Sequence, residues 1–281
     1  MNGVSIKDMI DAGVHFGHRS KYWNPKMEPY IYTTHKKLHI LNLEKSVERY
    51  NIAAKFIQNI VTNNGKIMFI GTKRAASEIV KKYSDLTAMP YVNNRWLGGL
   101  LTNFNTVKQS ISKLEDLRNR YKNQSIYNLS KKQAIDLKRN IERLEKNLLG
   151  VQYLTKLPDA IFVIDTRYER IAIQEANKLN IPVIALVDSN NSFDGVDYMI
   201  PANDDAMSSI DLFMDSISKI ILESKPKKAR SDTNSDKEEK KSIKAKKILK
   251  APEVKKVASK SKPTSKKPKD DKENLGDKRD E

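Results

Sequence analysis

The chain contains no cysteine among its 281 residues. This absence excludes disulfide bonds, thiolate metal ligands and a cysteine nucleophile. Aromatic residues are also scarce, at 7% of the chain, and hydrophobic residues make up only 38%. Such a composition supplies a hydrophobic core over part of the chain but not over all of it, so we expect some of the chain to be disordered.

Long apolar segments are missing as well. No run approaches the roughly 20 apolar residues that a membrane-spanning helix requires. The first residues, MNGVSIKDMIDAGVHFGH, have no unbroken apolar centre of the kind that a signal peptide carries. We therefore predict a cytoplasmic protein, while an acidic membrane surface stays open, beside nucleic acid, as the partner of a basic chain.

Positive charge is what the chain has in excess. It carries 52 basic and 35 acidic residues, for a net charge of +17, which indicates an anionic partner. Residues 225–281 lack aromatic residues and hold 21 basic and 11 acidic ones, so we predict that this Lys-rich tail is disordered. The tail is either a solvated extension or a flexible arm that contacts phosphates. Residues 155–224 are acidic instead, with 12 acidic and 5 basic residues.

Short apolar segments alternate with helical patterns in the middle of the chain. Four segments have the composition of buried strands: KIMFIG (66–71), DAIFVID (159–165), IPVIALVD (181–188) and YMIP (198–201). Apolar strands without polar alternation, separated by helices, are typical of a parallel sheet covered on both faces. We predict an α/β domain with a doubly wound, mainly parallel sheet, formed by residues 66–105 and 155–224. Residues 1–65 are predicted to be a loop and helix region that packs on this domain.

An insertion without strand signals separates the two parts of the domain. Apolar residues within 106–154 recur at spacings of three and four, at Val107, Ile111 and Leu114 and again at Leu137, Ile141, Leu144 and Leu148. This spacing is that of a coiled-coil seam. The polar segment YKNQSIYNLS lies between the two patterns. We therefore predict an inserted antiparallel coiled-coil helical hairpin.

Histidines and aspartates are the candidate metal ligands. His15 and His18 have a spacing that can bind a metal on a helix, but Gly17 lies between them and no cysteine supports the pair, so hydrogen bonding or stacking is favoured and no metal is predicted. Four aspartates follow predicted strands, at positions 165, 188, 204 and 205. They have two interpretations, a magnesium site at the sheet edge and helix capping.

The segment GTKRAAS (71–77) follows the first core strand and opens a helix, which is where α/β folds bind phosphates. It matches neither the dinucleotide fingerprint nor the P-loop. Three interpretations remain: a soluble nucleotide site, an ordinary tight turn, or contact with an RNA phosphate. No nucleophile elbow or kinase motif is present, so we predict neither an enzyme nor a cofactor.

Two loops combine cations with aromatic residues. They are RSKYWNPKM (19–27) and NNRWLGGLLTN (93–103). Aromatic rings beside arginine can stack on nucleotide bases, although tryptophan is also often packed half-buried in a core. Two such loops on one basic chain favour RNA binding.

These segments together resemble the universal small-subunit ribosomal protein family S2, in its bacterial form. The matching motifs run in order along residues 5–224: AGVHFGH (12–18), WNPKM (23–27), GKIMFIGTKRAASE (65–78), NNRWLGGLLTN (93–103), LPDAIFVID (157–165), EANKLNIPVIALVDSN (175–190) and IPANDDA (200–206). The long ordered series makes the resemblance specific. One departure is SFDG at 192–195, where the family usually has an Asp-Pro turn.

The resemblance implies a structural role in the cytoplasmic ribosome and no enzymatic one. Its implied partners are 16S rRNA and other small-subunit proteins, including the large OB-fold protein S1 that captures mRNA; neither DNA nor a membrane is implied. It also implies an α/β sheet domain with a coiled-coil hairpin.

We predict RNA contacts from the two loops, the turn after the first core strand and the hairpin. The residues are His18, Arg19, Lys21, Trp23, Asn24, Lys26, Lys73, Arg74, Arg95, Trp96 and Lys108. The acidic region 155–224 is expected to face solvent or another protein. Two rival functions are an enzyme acting on a phosphorylated small molecule, which rests on fold analogy alone, and a basic chromatin or membrane adaptor driven by the tail.

Overall fold

The computed structural model describes residues 4–123 and 131–225. Most of the predicted polar turn of the hairpin, and nearly all of the Lys-rich tail, lie outside the described residues. Within the described ranges, no helix combines the length and apolar character needed to cross a membrane.

The N-terminal region contains a small antiparallel sheet. Its elements are α1 (Ile6–Asp11), β1 (Phe16–Arg19), β2 (Ile31–His35), β3 (Leu38–Leu41) and α2 (Leu43–Thr62). The strand order is β1-β3-β2. The sequence pattern did not predict the three strands of this sheet. Strand β2 is exposed on both faces and therefore lacks the polar–apolar alternation that marks a half-buried strand.

The main sheet has five strands, and all neighbouring strands are parallel. Its elements are β4 (Ile67–Ile70), α3 (Arg74–Thr87), β5 (Tyr91–Val92), α4 (Phe104–Asn123), α5 (Lys131–Leu148), β6 (Ala160–Ile164), α6 (Arg170–Lys178), β7 (Val183–Val187), β8 (Tyr198–Pro201) and α7 (Met207–Ser224). The strand order is β5-β4-β6-β7-β8. The predicted α/β class with a mainly parallel sheet is confirmed. Only the two-residue strand β5 lacked a sequence signal.

Each strand of the main sheet is buried on both faces, which explains its unbroken apolar sequence. Successive side chains point to opposite faces, so Phe69 and Phe162 pack with α2, α3 and α7, while Met68 and Ile161 pack with α6. Helices therefore cover both faces, as the doubly wound arrangement requires.

The two inserted helices, α4 and α5, pack on each other. Val107 and Leu114 of α4 and Ile141 and Leu148 of α5 are buried in one apolar cluster, which continues onto the α6 side of the sheet. The ion pair between Arg118 Nε and Glu145 Oε1, at 2.7 Å, also joins the helices. The coiled-coil geometry of this insertion stays a prediction.

The strand order places a topological switch point between β4 and β6. The chain leaves β4 through α3 on one face of the sheet and leaves β6 through α6 on the other. A crevice opens at the carboxyl ends of two such strands, and doubly wound folds bind their ligands there. The residues that follow β4 and β6 therefore define where a functional site would lie.

Candidate functional site

Charged side chains from four strands meet at the carboxyl edge of the main sheet, because parallel strands end on the same side. We call this group the carboxyl-edge cluster. It consists of His18, Lys73, Asp165, Asp188, Asn191, Asp204 and Asp205. The four aspartates that the sequence singled out are thus brought together, along with two of the residues predicted to bind RNA.

Lys73 is the central cation of the cluster. Its Nζ lies 2.8 Å from Asp204 Oδ1 and 3.2 Å from Asp165 Oδ2, and it also forms an ion pair with Asp205. Burial by itself would lower the pKa of Lys73, but the surrounding carboxylates, Asp204 foremost, raise it well above its usual range. The ammonium is therefore permanently charged and is engaged by this chain's own carboxylates.

Asp204 is fully buried. Burial and the nearby Asp165 and Asp188 carboxylates raise its pKa to about 7, against the opposing attraction of Lys73. The Asn191 amide nitrogen donates to Asp204 Oδ2 at 2.7 Å. The capping interpretation named Asn203 or Asp204: Asp204 forms an ion pair instead, and Asn203 Oδ1 accepts the backbone N–H groups of Asp205 and Ala206 ahead of α7.

His18 joins the small N-terminal sheet to this cluster. Its Nδ1 lies 2.9 Å from Asp188 Oδ2 and its Nε2 lies 3.0 Å from Asp205 Oδ2. The hydrogen bond with Asp188 raises the pKa of His18, and burial opposes the rise. Gly17 permits the approach, since a Cβ at that position would lie 2.7 Å from Ser189 Oγ.

The ligand-type atoms of His18, Asp188 and Asp205 lie within 4.8 Å of one another. An imidazole and two carboxylates are donors that suit a divalent cation such as zinc. In the structure the same atoms satisfy each other by hydrogen bonds and ion pairs. His15, the other half of the predicted histidine pair, instead packs on Phe16, with the ring centroids 4.0 Å apart and the ring planes tilted by 41°.

Glu169 lines the crevice at the switch point and binds the turn that follows β4. Its Oε1 accepts the backbone N–H of Thr72 at 2.7 Å and the Thr72 hydroxyl at 2.6 Å. Burial raises the pKa of this carboxyl, and the Thr72 hydrogen bonds oppose the rise. A carboxylate of the chain thus takes the backbone donor that a nucleotide phosphate would need after β4. This arrangement favours the tight-turn interpretation of GTKRAAS over a nucleotide site.

Glu175 organises the loop NNRWLGGLLTN (93–103). Its carboxylate accepts from Trp96 Nε1 at 3.0 Å and from the backbone N–H groups of Gly99, Leu101 and Thr102 at 2.7 to 3.2 Å. Burial alone would raise the pKa of Glu175, but these donors together lower it. Trp96 is only 8% exposed, so its ring packs in the core and is not presented for stacking on a base.

The first basic-aromatic loop is only partly open to solvent. Arg19 and Lys21 are exposed, and the Lys21 ammonium lies 5.8 Å from the Tyr22 ring centre. Lys26 forms an ion pair with Asp194 at 2.6 Å, inside the segment where the sequence departs from the family. The remaining predicted residues hold the loop in place: Asn24 N donates to Ser189 O at 2.8 Å and Trp23 packs 5.3 Å from His39, centre to centre.

Three other predicted residues, Arg74, Arg95 and Lys108, are exposed. Arg95 lines a groove of about 440 Å³ at the switch point, together with Tyr168, Trp96 and Glu169. We call it the switch-point groove. Tyr168 is 64% exposed and was missed by the sequence reasoning, although Arg167 and Arg170 flank it and form a basic-aromatic signal that could have found it.

The family model for ribosomal protein S2 matches residues 9–224 of the chain. The chain belongs to the ribosomal protein S2 family. Small ribosomal subunit protein uS2 of Pseudoalteromonas translucida is 49% identical over 223 residues, 79% of this chain and 92% of the relative. The protein of the same name from Idiomarina loihiensis is 46% identical over 236 residues, 84% of this chain and 98% of the relative.

Membership of the S2 family makes the chain a ribosomal protein and not an enzyme. The predicted resemblance is therefore confirmed. The match ends at residue 224, so the Lys-rich tail lies outside the part that the S2 family shares.

One consequence of the cluster in this S2-family protein is a pH effect. The pKa of Asp204 rises from an ordinary 3.8 to about 7 on folding. A raised carboxyl pKa contributes stability below about pH 4 that is lost as the pH climbs through about 7. The free energy of unfolding of the wild type, minus that of Asp204→Asn, should therefore fall by roughly 1 kcal/mol or more between about pH 5 and pH 8. Urea unfolding at several pH values measures this difference, and parallel curves for the two proteins would contradict it.

Proposed function

We propose that this S2-family chain is a structural constituent of the small ribosomal subunit that binds 16S rRNA through exposed, unpaired cations. The observation that carries the proposal is the division of its charges. Cations of the carboxyl-edge cluster are neutralised internally, whereas Arg95 at the switch-point groove and most described cations of the hairpin, apart from Arg118 and Lys138, form no ion pair. Free Lys and Arg side chains neutralise phosphates and release counterions, which supplies much of the affinity for RNA.

The hairpin presents the largest set of free cations. On its described side chains, seven exposed cations form no ion pair: Lys108, Lys113, Arg120, Lys132, Arg139, Arg143 and Lys146. A helical pair of this kind, packed as the predicted antiparallel coiled coil, is a stiff support that reaches away from the sheet. Stiffness favours binding because less conformational entropy is lost when RNA is bound.

The switch-point groove supplies a second contact. Arg95 can pair with a phosphate, and the exposed ring of Tyr168 offers a face on which a base can stack. Glu175 and Trp96 fix the loop that carries Arg95. Trp96 therefore acts as a support of the RNA-binding surface, and Lys73 and His18 do the same through the carboxyl-edge cluster.

We further propose that the acidic region 155–224, apart from the part that lines the switch-point groove, faces a protein partner, with protein S1 as the partner that the family resemblance implies. Its 12 acidic residues against 5 basic ones would repel RNA phosphates. Asp197 and Glu223 are among its exposed carboxylates, whereas Asp211 and Asp215 on α7 are half-buried and pair with Lys82 and Lys219. A subunit structure in which this region packs mainly on RNA phosphates would contradict the division of surfaces.

Replacement of Arg95 with alanine tests the proposed function. One lost phosphate contact should reduce the slope of log affinity against log salt by about 1 and lower the affinity for 16S rRNA about fivefold near 0.15 M salt. Lys178→Ala removes an exposed cation from the acidic region and is the matched control, expected to bind like the wild type. Filter binding and co-sedimentation with small subunits at stepped salt concentrations measure the affinity and the salt slope of both variants. A wild-type chain that never co-sediments, even at low salt, would overturn the function itself.

A further inference from the structure

The turn between β2 and β3 has a backbone that lysine does not favour. His35 pairs with Leu38, so only Lys36 and Lys37 connect the strands. Their φ angles are +47° and +67°. Two left-handed residues in a two-residue hairpin define a type I′ turn, for which Asn-Gly is strongly preferred, because a long side chain on a left-handed residue crowds the backbone.

Nothing in the fold explains why both positions carry lysine. Both side chains are exposed, and within the described part of the chain neither forms a hydrogen bond or an ion pair. The turn is kept in place by its backbone, since Ser20 N donates to the Lys37 carbonyl at 2.9 Å. Residues held in an unfavourable conformation without a structural benefit are candidates for a functional role.

The pairing of β1 with β3 brings two further cations to the turn. Arg19 of β1 pairs with Leu38 of β3, and Lys21 follows two residues later. Neither forms an ion pair with any residue that the structure describes. We call Arg19, Lys21, Lys36 and Lys37, with the exposed His35 beside them, the basic turn.

Aromatic faces flank the basic turn. Tyr22 is 59% exposed and Tyr32 is 74% exposed. From Tyr32 to His35, strand β2 is exposed on both faces, so the whole outer part of the hairpin is free to contact a partner. Unpaired cations beside open aromatic rings fit an RNA strand, because phosphates meet the cations and bases stack on the rings.

We propose that the basic turn is a separate RNA-binding element of this protein, with Lys36 and Lys37 as its main phosphate contacts. This inference rests on the proposed function and adds a site to it. The left-handed backbone lets two consecutive lysines extend from the narrow tip of a hairpin. An acidic protein surface is the competing partner, and the open tyrosines favour RNA over it.

The test replaces the lysines with the residues that the turn prefers. Lys36→Asn combined with Lys37→Gly should leave the thermal unfolding midpoint unchanged or higher, because Asn-Gly suits the type I′ turn. The same variant should bind 16S rRNA about tenfold more weakly near 0.1 M salt, with the salt slope reduced by about 1 to 2. A gain in stability with a loss of affinity is not expected from a purely structural role.

The control removes the same charge elsewhere. Lys55→Gln combined with Lys81→Gln takes two exposed cations from α2 and α3 and should leave the salt slope at its wild-type value. If the wild type binds 16S rRNA and the turn variant binds it with an unchanged slope, the basic turn is not an RNA contact. Lost incorporation into subunits with unchanged affinity for the free RNA would also overturn the proposal, in favour of a protein partner. A wild type that does not bind the RNA would instead disprove the underlying function.

Discussion

Lys73→Ala is expected to lower the free energy of unfolding by about 3 kcal/mol, because it leaves buried carboxylates without their cation. Lys73 pairs with Asp165, Asp204 and Asp205, and Asp204 is fully buried. Removing one partner of a buried ion pair costs far more than the pair contributes, since the remaining charge is desolvated and unpaired. Urea unfolding followed by circular dichroism measures the loss.

Lys82→Ala is the matched control. Lys82 also pairs with an aspartate, Asp211 at 3.1 Å, but this pair is open to solvent, so the loss of stability should be much smaller than for Lys73→Ala. Adding Asp204→Asn to Lys73→Ala should recover part of the stability at about pH 8, because it removes the buried carboxyl group that has lost its cation. Equal losses for the two lysines, or no recovery in the double variant, would show that the cluster does not depend on Lys73.

Glu175→Ala is expected to lower the free energy of unfolding by about 3 kcal/mol or more. It removes the carboxylate that accepts hydrogen bonds from several donors at once. The buried donors Trp96 Nε1 and Leu101 N would be left without a partner. Because the loop also carries Arg95, the affinity for 16S rRNA should fall with the stability. Urea unfolding and filter binding, made on the same preparation below the unfolding transition, measure the two effects.

Gln174→Ala serves as the control, because Gln174 is exposed on the same helix. Its replacement should lower the free energy of unfolding by less than about 0.5 kcal/mol. Glu175→Gln keeps one carbonyl oxygen as an acceptor and should lose less stability than Glu175→Ala. A stable Glu175→Ala protein with wild-type RNA affinity would mean that the loop is held by its apolar packing alone.

Much of the fold follows from local patterns in the sequence. Strands β4, β6, β7 and β8 were predicted within one or two residues, because strands buried on both faces have unbroken apolar sequences. The parallel direction of β4, β6 and β7 followed from the helices between them, whereas β8 follows β7 without an intervening helix. Strand β5 escaped prediction because two residues carry no periodicity, and β2 escaped because both of its faces meet solvent.

The candidate site was predicted less well. His18 and Lys73 were singled out as cations for RNA, and the four aspartates were singled out separately as carboxylates. The structure joins the two sets into one cluster. The strands that precede Lys73 and the aspartates end at the same edge of the main sheet, and His18 contacts that edge from β1. Glu169 and Glu175 gave no signal, because a buried carboxylate on a helix looks like any surface glutamate until its partners are known.

The sequence by itself determined the family, the parallel α/β core and the separation of charge along the chain. These are properties of composition, local order and motif, and they need no knowledge of which segments meet. Only the tertiary structure decided which cations are free. Lys73 is neutralised by residues about 90 to 130 positions away in the chain, whereas Lys36 and Lys37 remain open at the tip of a hairpin. Whether a charged side chain can bind a partner depends on which side chains surround it in the fold. The order of residues along the chain does not reveal those neighbours.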